Sequence, residues 1–375
     1  MREKMRLWKR ASGALKDRNS LLVASLARRT ALRNRDIEAA VIKSTSHDDS
    51  RVDYRNAQRV YSWIRMSPAY YFQPFASALN ARMSKTRSWV VALKGLMLMH
   101  GVVCCRVPAV QKVPRLPFDL SSFCDGHLPF AKSWPYNAFI RAYYAYLDQR
   151  SAFTSVDLQE REARSRLGRE APIVWDLRRL QRLQGLLDTL LEIKPQTEGR
   201  IELVVLEAMD CIVIEIYDIY SRICNGVAKV LVRICSAEKG EAAVTLKVLQ
   251  KSIFQGEQLS SFFEYCKGIG VLNASECPKV ERVPEEDIRE LQRMIMDPPE
   301  EKAIIVSETR VDSVTGVLQT VITANWEVFD EDSAKAGAKI DSAAGALIPV
   351  PADQQRSKAL NGHHHHQELP DLISF

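Results

Sequence analysis

The sequence predicts an all-α protein, a helical body followed by a flexible acidic tail. Three observations carry this. Apolar residues recur at three- and four-residue spacing in successive segments closed by capping residues. No strand alternation recurs, and neither βαβ spacing nor a Gly-rich phosphate loop occurs. After residue 300 the composition changes in kind: residues 300–375 hold 6 basic and 12 acidic residues, no Tyr and no Cys. Ala, Gly, Ser, Asp and Pro dominate beyond 330, a composition too poor in apolar residues to build a core.

Composition narrows the class. The 375 residues are 46% hydrophobic and 26% charged, an ordinary soluble balance. The net charge of +6 hides an asymmetry: residues 1–115 carry 23 Lys/Arg against 7 Asp/Glu, and the remainder 29 against 39. A basic front on an acidic body points to a polyanionic partner surface, anionic lipid or nucleic acid. The eight cysteines form no CxxC pair, so neither zinc nor a disulfide framework is expected. Cys211, Cys224 and Cys235 lie in apolar helical runs and read as small buried hydrophobes. No signal peptide opens the chain and no uninterrupted apolar run of membrane-spanning length occurs. The protein is expected to be intracellular, reduced and not membrane-spanning.

The elements follow in order. Residues 1–19 are basic, with Leu7, Trp8, Ala11, Ala14 and Leu15 at near-helical spacing. They form either a short amphipathic helix lying on a membrane or a frayed terminus that packs Trp8 on the body. Residues 20–34 carry an apolar stripe closed by basic residues, a helix. Asp36 caps the next, which runs to His47. A third helix spans 54–65. Pro68 opens a fourth, to Met83, with Tyr70, Tyr71, Phe72, Phe75 and Leu79 as candidate core. Ser84 caps a helix through His100 that is apolar nearly all round and therefore central. Its His100 reads as a hydrogen-bonded buried histidine, not a metal ligand.

Pro108, Pro114, Pro117 and Pro129 make 107–133 a loop with one or two short turns, plugged onto the body by Phe118, Leu120 and Phe123. Helix resumes from Pro135 to Leu147, and the Arg/Glu-rich span 157–170 reads as a solvated connector. Three long helices follow, at 173–193, 200–235 and 240–268, the last stopped by Gly268. A final helix begins at Pro284 and ends at Asp297-Pro298-Pro299. A hairpin around Gly316 is a minor expectation. The histidines 363–366, a stretch able to bind a stray metal, read equally as a low-complexity tract or as an added tag.

One stretch concentrates charge between two helices: Lys43-Ser-Thr-Ser-His47, then Arg51, Arg55 and Arg59 at intervals of four. With helix continuing through His47, Lys43 and His47 share a face. Two helix ends carrying Lys, His and Arg towards one point form a candidate anion site. The bland alternative is a solvated basic helix end with a loop. No Ser/His/Asp or paired-carboxylate constellation stands out, so neither an enzyme nor a cofactor is expected.

Five strings, in order, are similar to the ANTH domain, the lipid-binding helical module of clathrin-assembly proteins, in its plant members. They are Trp8-Lys-Arg-Ala-Ser-Gly-Ala-Leu-Lys-Asp17, Ala40-Val-Ile-Lys43-Ser-Thr-Ser-His47, Arg82-Met-Ser-Lys-Thr-Arg-Ser-Trp89-Val-Val-Ala-Leu-Lys94, Phe139-Ile-Arg-Ala-Tyr143 with Tyr146-Leu147-Asp-Gln-Arg150, and Phe262-Phe-Glu-Tyr-Cys-Lys-Gly268. The resemblance implies an all-α superhelix of about ten helices, an open bundle in front and long antiparallel helices behind, over 20–297. Residues 1–19 and the tail 298–375 flank it. It implies binding to phosphatidylinositol 4,5-bisphosphate in the cytoplasmic leaflet and recruitment of clathrin heavy chain and a clathrin adaptor complex by the tail. The setting is cytoplasmic and peripheral to membrane, at clathrin-coated pits and vesicles, with the Golgi a further location. Family members also hold SNARE helices on the rear bundle, a role that no residue of this sequence marks.

Carried over residue by residue, the headgroup site falls on Lys43, His47, Arg55 and Asn56. The family's second lysine falls on Asp53, its terminal histidine on Asn56, and its two prolines on Arg51 and Val52. An acid beside a phosphate costs on the order of 1 kcal/mol in a solvated site. Helix spacing lets Arg51, one turn before Arg55, compensate. Phosphoinositide binding weaker than the family norm is therefore expected, with an Asp53→Lys change restoring strength if the site is live. In the tail, Asp371-Leu372-Ile373, followed by Phe375, resembles the short Asp-Leu-Leu/Ile peptides that clathrin and adaptors recognise. Leu347-Ile-Pro-Val350 is a poorer look-alike.

Two other readings stand beside this one. A nucleic-acid-binding protein is disfavoured by the lack of a recognition-helix pattern or aromatic-basic interleave. A helical protein-interaction scaffold with a degenerate lipid site remains the alternative.

Overall fold

The structure, a computed structural model, describes residues 2–26, 30, 32–167, 172–196, 201–234, 238–276, 289, 292 and 293. Ten α-helices are built from them: α1 (Arg2–Leu26), α2 (Arg35–Ser44), α3 (Tyr54–Met66), α4 (Pro68–Met83), α5 (Trp89–Cys104), α6 (Pro108–Gln111), α7 (Phe130–Leu167), α8 (Ile173–Leu191), α9 (Leu203–Val232) and α10 (Lys239–Ile269), with a 3-10 turn at Asn273–Glu276. The described residues include no strand, only an isolated bridge between Thr30 and Arg33. No described helix is long and apolar enough to cross a membrane. The expected helix at 284–297 lies outside the described residues, apart from Arg289, Gln292 and Arg293, which are helical. The tail, its hairpin, its histidines and its short motifs also lie outside them, as does Cys235.

The helices pack mainly on their neighbours in the chain: α1 on α2, α2 on α3 and α4, α7 on α8, and α8 on α9 and α10. α5 is the exception that unites front and rear, touching α2, α3, α4, α6, α7 and α9. Its apolar character all round predicts this, and every residue from Trp89 to His100 is buried. Behind it, side-chain pairs give the directions. Arg164–Asp176 and Thr189–Gln149 set α8 antiparallel to α7. Arg233–Asp176 and the seat of Gly226 against Leu180 set α9 antiparallel to α8.

Several boundaries differ from the sequence reading, each for a local reason. α1 runs unbroken from Arg2 to Leu26, so residues 2–26 are one helix, and residues 30 and 32–34 of the expected helix over 20–34 are not helical. Asn34, not Asp36, caps α2: its side chain accepts from the amides of Asp36 and Ile37. α5 begins at Trp89, because Ser84 serves as the C-cap of α4. The Trp89 amide is met by the buried Asp125 carboxylate at 2.8 Å, whose other oxygen takes the amides of His127 and Leu128. One acid thus ties the proline-rich loop to the central helix.

α7 begins at Phe130, with Pro135 inside it, and continues to Leu167. The stretch from 157 to 167 is therefore helix, because Asp157 is buried and accepts from Arg179 on α8 at 2.7 Å. Gly268 lies within α10. The left-handed stop is Gly270, at φ 88°, where a side chain would be strained, and the next amide bonds back to the Cys266 carbonyl. Tyr70 is largely exposed rather than core, stacked edge-on against Tyr71. Cys211 and Cys224 are half-buried.

The rear core contains one charged network. The Glu215 carboxylate on α9 takes the Arg150 guanidinium, the Tyr146 hydroxyl at 2.8 Å and His100 Nε2 at 3.2 Å. His100 Nδ1 lies 2.7 Å from the Tyr143 hydroxyl, so both ring nitrogens of this buried histidine are engaged, as expected. Cys104 Sγ completes the group at 3.7 Å from Glu215. Burial alone would raise the Glu215 pKa. The Arg150 charge and the His100 bond outweigh it and hold the carboxyl well below its ordinary value.

Candidate membrane-binding site

The charged stretch is a loop between two capped helix ends. α2 closes because Ser44 Oγ bonds back to the Ala40 carbonyl and Thr45 Oγ1 to the Val41 carbonyl at 2.6 Å, offering the last turn a side-chain alternative to continued helix. His47 therefore lies beyond the helix, and the expected shared helical face with Lys43 does not form. Lys43 stands exposed in the last turn of α2, a position the helix dipole favours for a cation.

α3 opens on Asp53, whose Oδ1 accepts from the Asn56 amide at 3.1 Å and Oδ2 from Asn56 Nδ2 at 2.7 Å. Asp53 is thus the N-cap of α3. Asn56, one of the predicted contacts, is buried and committed to Asp53 and, at 3.4 Å, to Arg59. Arg55 and Arg59 are exposed on α3 at i, i+4, and Arg59 also lies over the Trp63 ring. Arg51 belongs to the loop rather than the helix. It is exposed and pairs loosely with Asp48 at 3.5 Å. Of the predicted site residues, Lys43, Arg51 and Arg55 offer exposed charge, while His47 and Asn56 are held by acids of the chain itself.

His47 is held from across the fold. Its backbone amide and ring Nδ1 each lie 2.8 Å from the carboxylate of Asp17 on α1. The same carboxylate takes Arg82 of α4 at 2.7 Å, and Arg82 in turn bonds the Thr45 carbonyl at 2.8 Å. Burial works against the Asp17 charge, but bonds from His47 and Arg82 prevail and hold its pKa below the usual carboxylate range. Beneath the loop, Lys94 of α5 sends its ammonium to the Asp48 carbonyl at 2.5 Å and Ser46 Oγ at 3.3 Å. Burial pushes this amine down to about 8, against the pull of Asp48 and Glu207. Glu207 itself accepts from the Tyr54 hydroxyl at 3.1 Å, linking the start of α3 to α9.

Sequence reasoning gave no role to Asp17, Arg82 or Lys94. Two signals were present: Asp17 is the sole acid between Glu3 and Asp36, and Lys94 is the one cation in a helix otherwise apolar all round. A void of about 10 Å³ lies under the loop among Ser44, Tyr54, Tyr61 and Lys94, room for about one water. Lys43, Arg51 and Arg55 share this segment with three acids, Asp48, Asp49 and Asp53, of which Asp48 meets Arg51 at 3.5 Å and Asp49 lies 3.8 Å from Arg10 of α1.

The description "ANTH domain" fits residues 36–297, the whole body from α2 onward. The chain belongs to the ANTH domain family. Two Arabidopsis thaliana proteins, each named "Putative clathrin assembly protein", are 48% and 46% identical to it over 341 and 340 residues. The first alignment covers 88% of both chains, the second 88% of this chain and 89% of the relative. A third Arabidopsis protein of the same description is 41% identical over 294 residues, 78% of this chain and 82% of its own. The helices α2 to α10, and the loop between α2 and α3 with its bordering charges, thus lie within this family's domain, and α1 precedes the matched residues.

Proposed function

We propose that this ANTH-family protein is a clathrin-assembly adaptor without enzymatic activity, which binds phosphoinositide-containing membrane through its basic front and recruits clathrin or adaptors through its tail. The observation that carries this is the similarity, over 88% of the chain, to relatives named for clathrin assembly. The domain division that goes with it is a basic segment over 1–19, an ANTH body over 20–297 and a recruiting tail over 298–375. Lys43, Arg51 and Arg55 are the exposed cations for the headgroup; His47 joins them only when Asp17 withdraws. Basic residues near an anionic surface contribute about 1 kcal/mol each.

α1 supports membrane contact from a second direction. Leu15, Leu22 and Leu26 are 70%, 62% and 81% exposed. At 100° per residue they fall in one sector of about 40°, an apolar stripe turned outward with Lys16 and Arg18 beside it. The proposed setting is the cytoplasmic face of clathrin-coated pits and vesicles and the Golgi, with phosphatidylinositol 4,5-bisphosphate as lipid and SNARE helices as a further partner. Asp371, Leu372, Ile373 and Phe375 are the tail's contacts for clathrin heavy chain or the adaptor complex. Such short motifs bind weakly and gain from a multivalent coat.

Co-sedimentation with vesicles tests the membrane half. Binding that rises with phosphatidylinositol 4,5-bisphosphate content is expected, and equal binding to neutral vesicles would sink it. A pull-down tests the tail: clathrin or adaptor capture that survives deletion of 369–375 removes those residues from the site. The scaffold reading draws on Asp48, Asp49 and Asp53, which match the three exposed cations in number. It is favoured if neutralising these acids leaves vesicle binding unchanged.

A further inference from the structure

α1 is mounted on the body in an unusual sense. The face it buries is small and polar, carrying Gly13, Asp17, Ser20 and Ala24, which fall on the side of the helix opposite its leucine stripe. Gly13 is required for this close approach, since a Cβ there would come within 2.7 Å of the His47 Cβ. What holds the helix is the Asp17 carboxylate. It sits among three donors from two parts of the fold: the His47 amide and ring, each at 2.8 Å, in the loop after α2, and the Arg82 guanidinium at 2.7 Å on α4. Arg82 is fixed independently of α1 by Thr45, through Nε to Oγ1 at 3.2 Å and through its terminal nitrogen to the carbonyl. The body therefore presents a preformed anion pocket, and α1 fills it with its own acid. A backbone amide, an imidazole and a guanidinium converging on one oxygen pair are a donor set that suits a phosphate monoester as well as a carboxylate, and a dianion gains more from it.

We propose that Asp17 is an intramolecular stand-in for a phosphate monoester, so that α1 docking and phosphate capture by His47 and Arg82 are mutually exclusive. This rests on the membrane-binding reading and names its regulation. A phosphorylated headgroup that enters the pocket ejects Asp17, frees α1 from its seat on His47 and leaves its leucine stripe able to move into the bilayer. An unoccupied protein keeps α1 folded against the body.

The test uses the full-length chain and follows backbone amide exchange over residues 10–26, with soluble inositol 1,4,5-trisphosphate, inorganic phosphate and phosphatidylinositol 4,5-bisphosphate vesicles as probes. Inositol trisphosphate is expected to speed exchange in α1 of the wild type. Asp17→Asn, which keeps the shape and loses the charge, is expected to speed it without ligand and to raise vesicle affinity about five-fold, the factor that corresponds to about 1 kcal/mol. Release by inorganic phosphate at the same concentration also supports the lock, with free phosphate rather than lipid as its key. Unchanged α1 exchange with inositol trisphosphate, in a wild type that binds vesicles, overturns the lock and leaves the membrane reading standing. No vesicle binding by either protein, with α1 still released by the soluble phosphates, sinks the membrane reading and keeps the lock. Because the wild-type exchange experiment needs no substitution, a variant that fails to fold does not block the decision.

Discussion

The Asp53 carboxylate holds both amides of Asn56, the backbone N–H at 3.1 Å and the side-chain nitrogen at 2.7 Å. An acid is thus built into the start of α3 as its N-cap. Asp53→Asn separates its two roles, since asparagine caps as well as aspartate. Stability is expected to stay within about 0.5 kcal/mol of wild type, while affinity for phosphoinositide vesicles rises about five-fold with the acid gone. Asp53→Lys is the less clean change: it adds a cation but removes the cap, at about 1 kcal/mol of stability. Denaturation midpoints and co-sedimentation on the same proteins check both.

Lys43 and Arg55 are exposed at the ends of α2 and α3. Lys43→Ala with Arg55→Ala is expected to weaken binding to anionic vesicles by about 2 kcal/mol, roughly thirty-fold. The thermal midpoint should hardly move. Titration against vesicles at two ionic strengths checks this, because the loss must shrink as salt rises.

Glu215 anchors Arg150, Tyr146 and His100 in the rear core. Glu215→Leu strands a buried guanidinium and is expected to cost about 3–5 kcal/mol by chemical denaturation. Acid should act in the same direction. The folded pKa of Glu215 is depressed below the ordinary 4.5. Its contribution is therefore fully present above that value and lost as pH falls through the lower folded one. Asp17, depressed likewise, should release α1 over the same acid range, below its ordinary 3.8.

Lys94 gives a prediction of opposite sense. Burial lowers its pKa from 10.5 to about 8, so between those values the unfolded chain binds more protons than the folded one. Stability relative to Lys94→Met should therefore rise with pH from about 8 to about 10.5, by about 3 kcal/mol at most. Paired denaturation curves across that range check it, and the variant cancels the opposing titration of tyrosines and thiols.

Loop rigidity gives a separate readout for the same variant. With the ammonium gone, the Asp48 carbonyl and Ser46 hydroxyl lose a shared donor. Amide exchange in 45–53 is expected to speed up in Lys94→Met while that of α7 and α8 stays unchanged.

The sequence by itself determined the helical class, the central place of α5 and the family. Apolar periodicity, caps and ordered strings are local signals, and each is written in consecutive residues. It also located the charged loop, because a run of cations between two helical patterns is local too. What only the tertiary structure decided is which of those charges are free. His47 pairs with Asp17 thirty positions away, Arg82 joins them from α4, and Lys94 reaches the loop from beneath. Asp53 proved to be a cap, which its place before α3 allowed but its charge concealed. Side-chain spacing can announce that cations and acids are present; only packing brings distant ones within 3 Å and settles which remain exposed to a ligand.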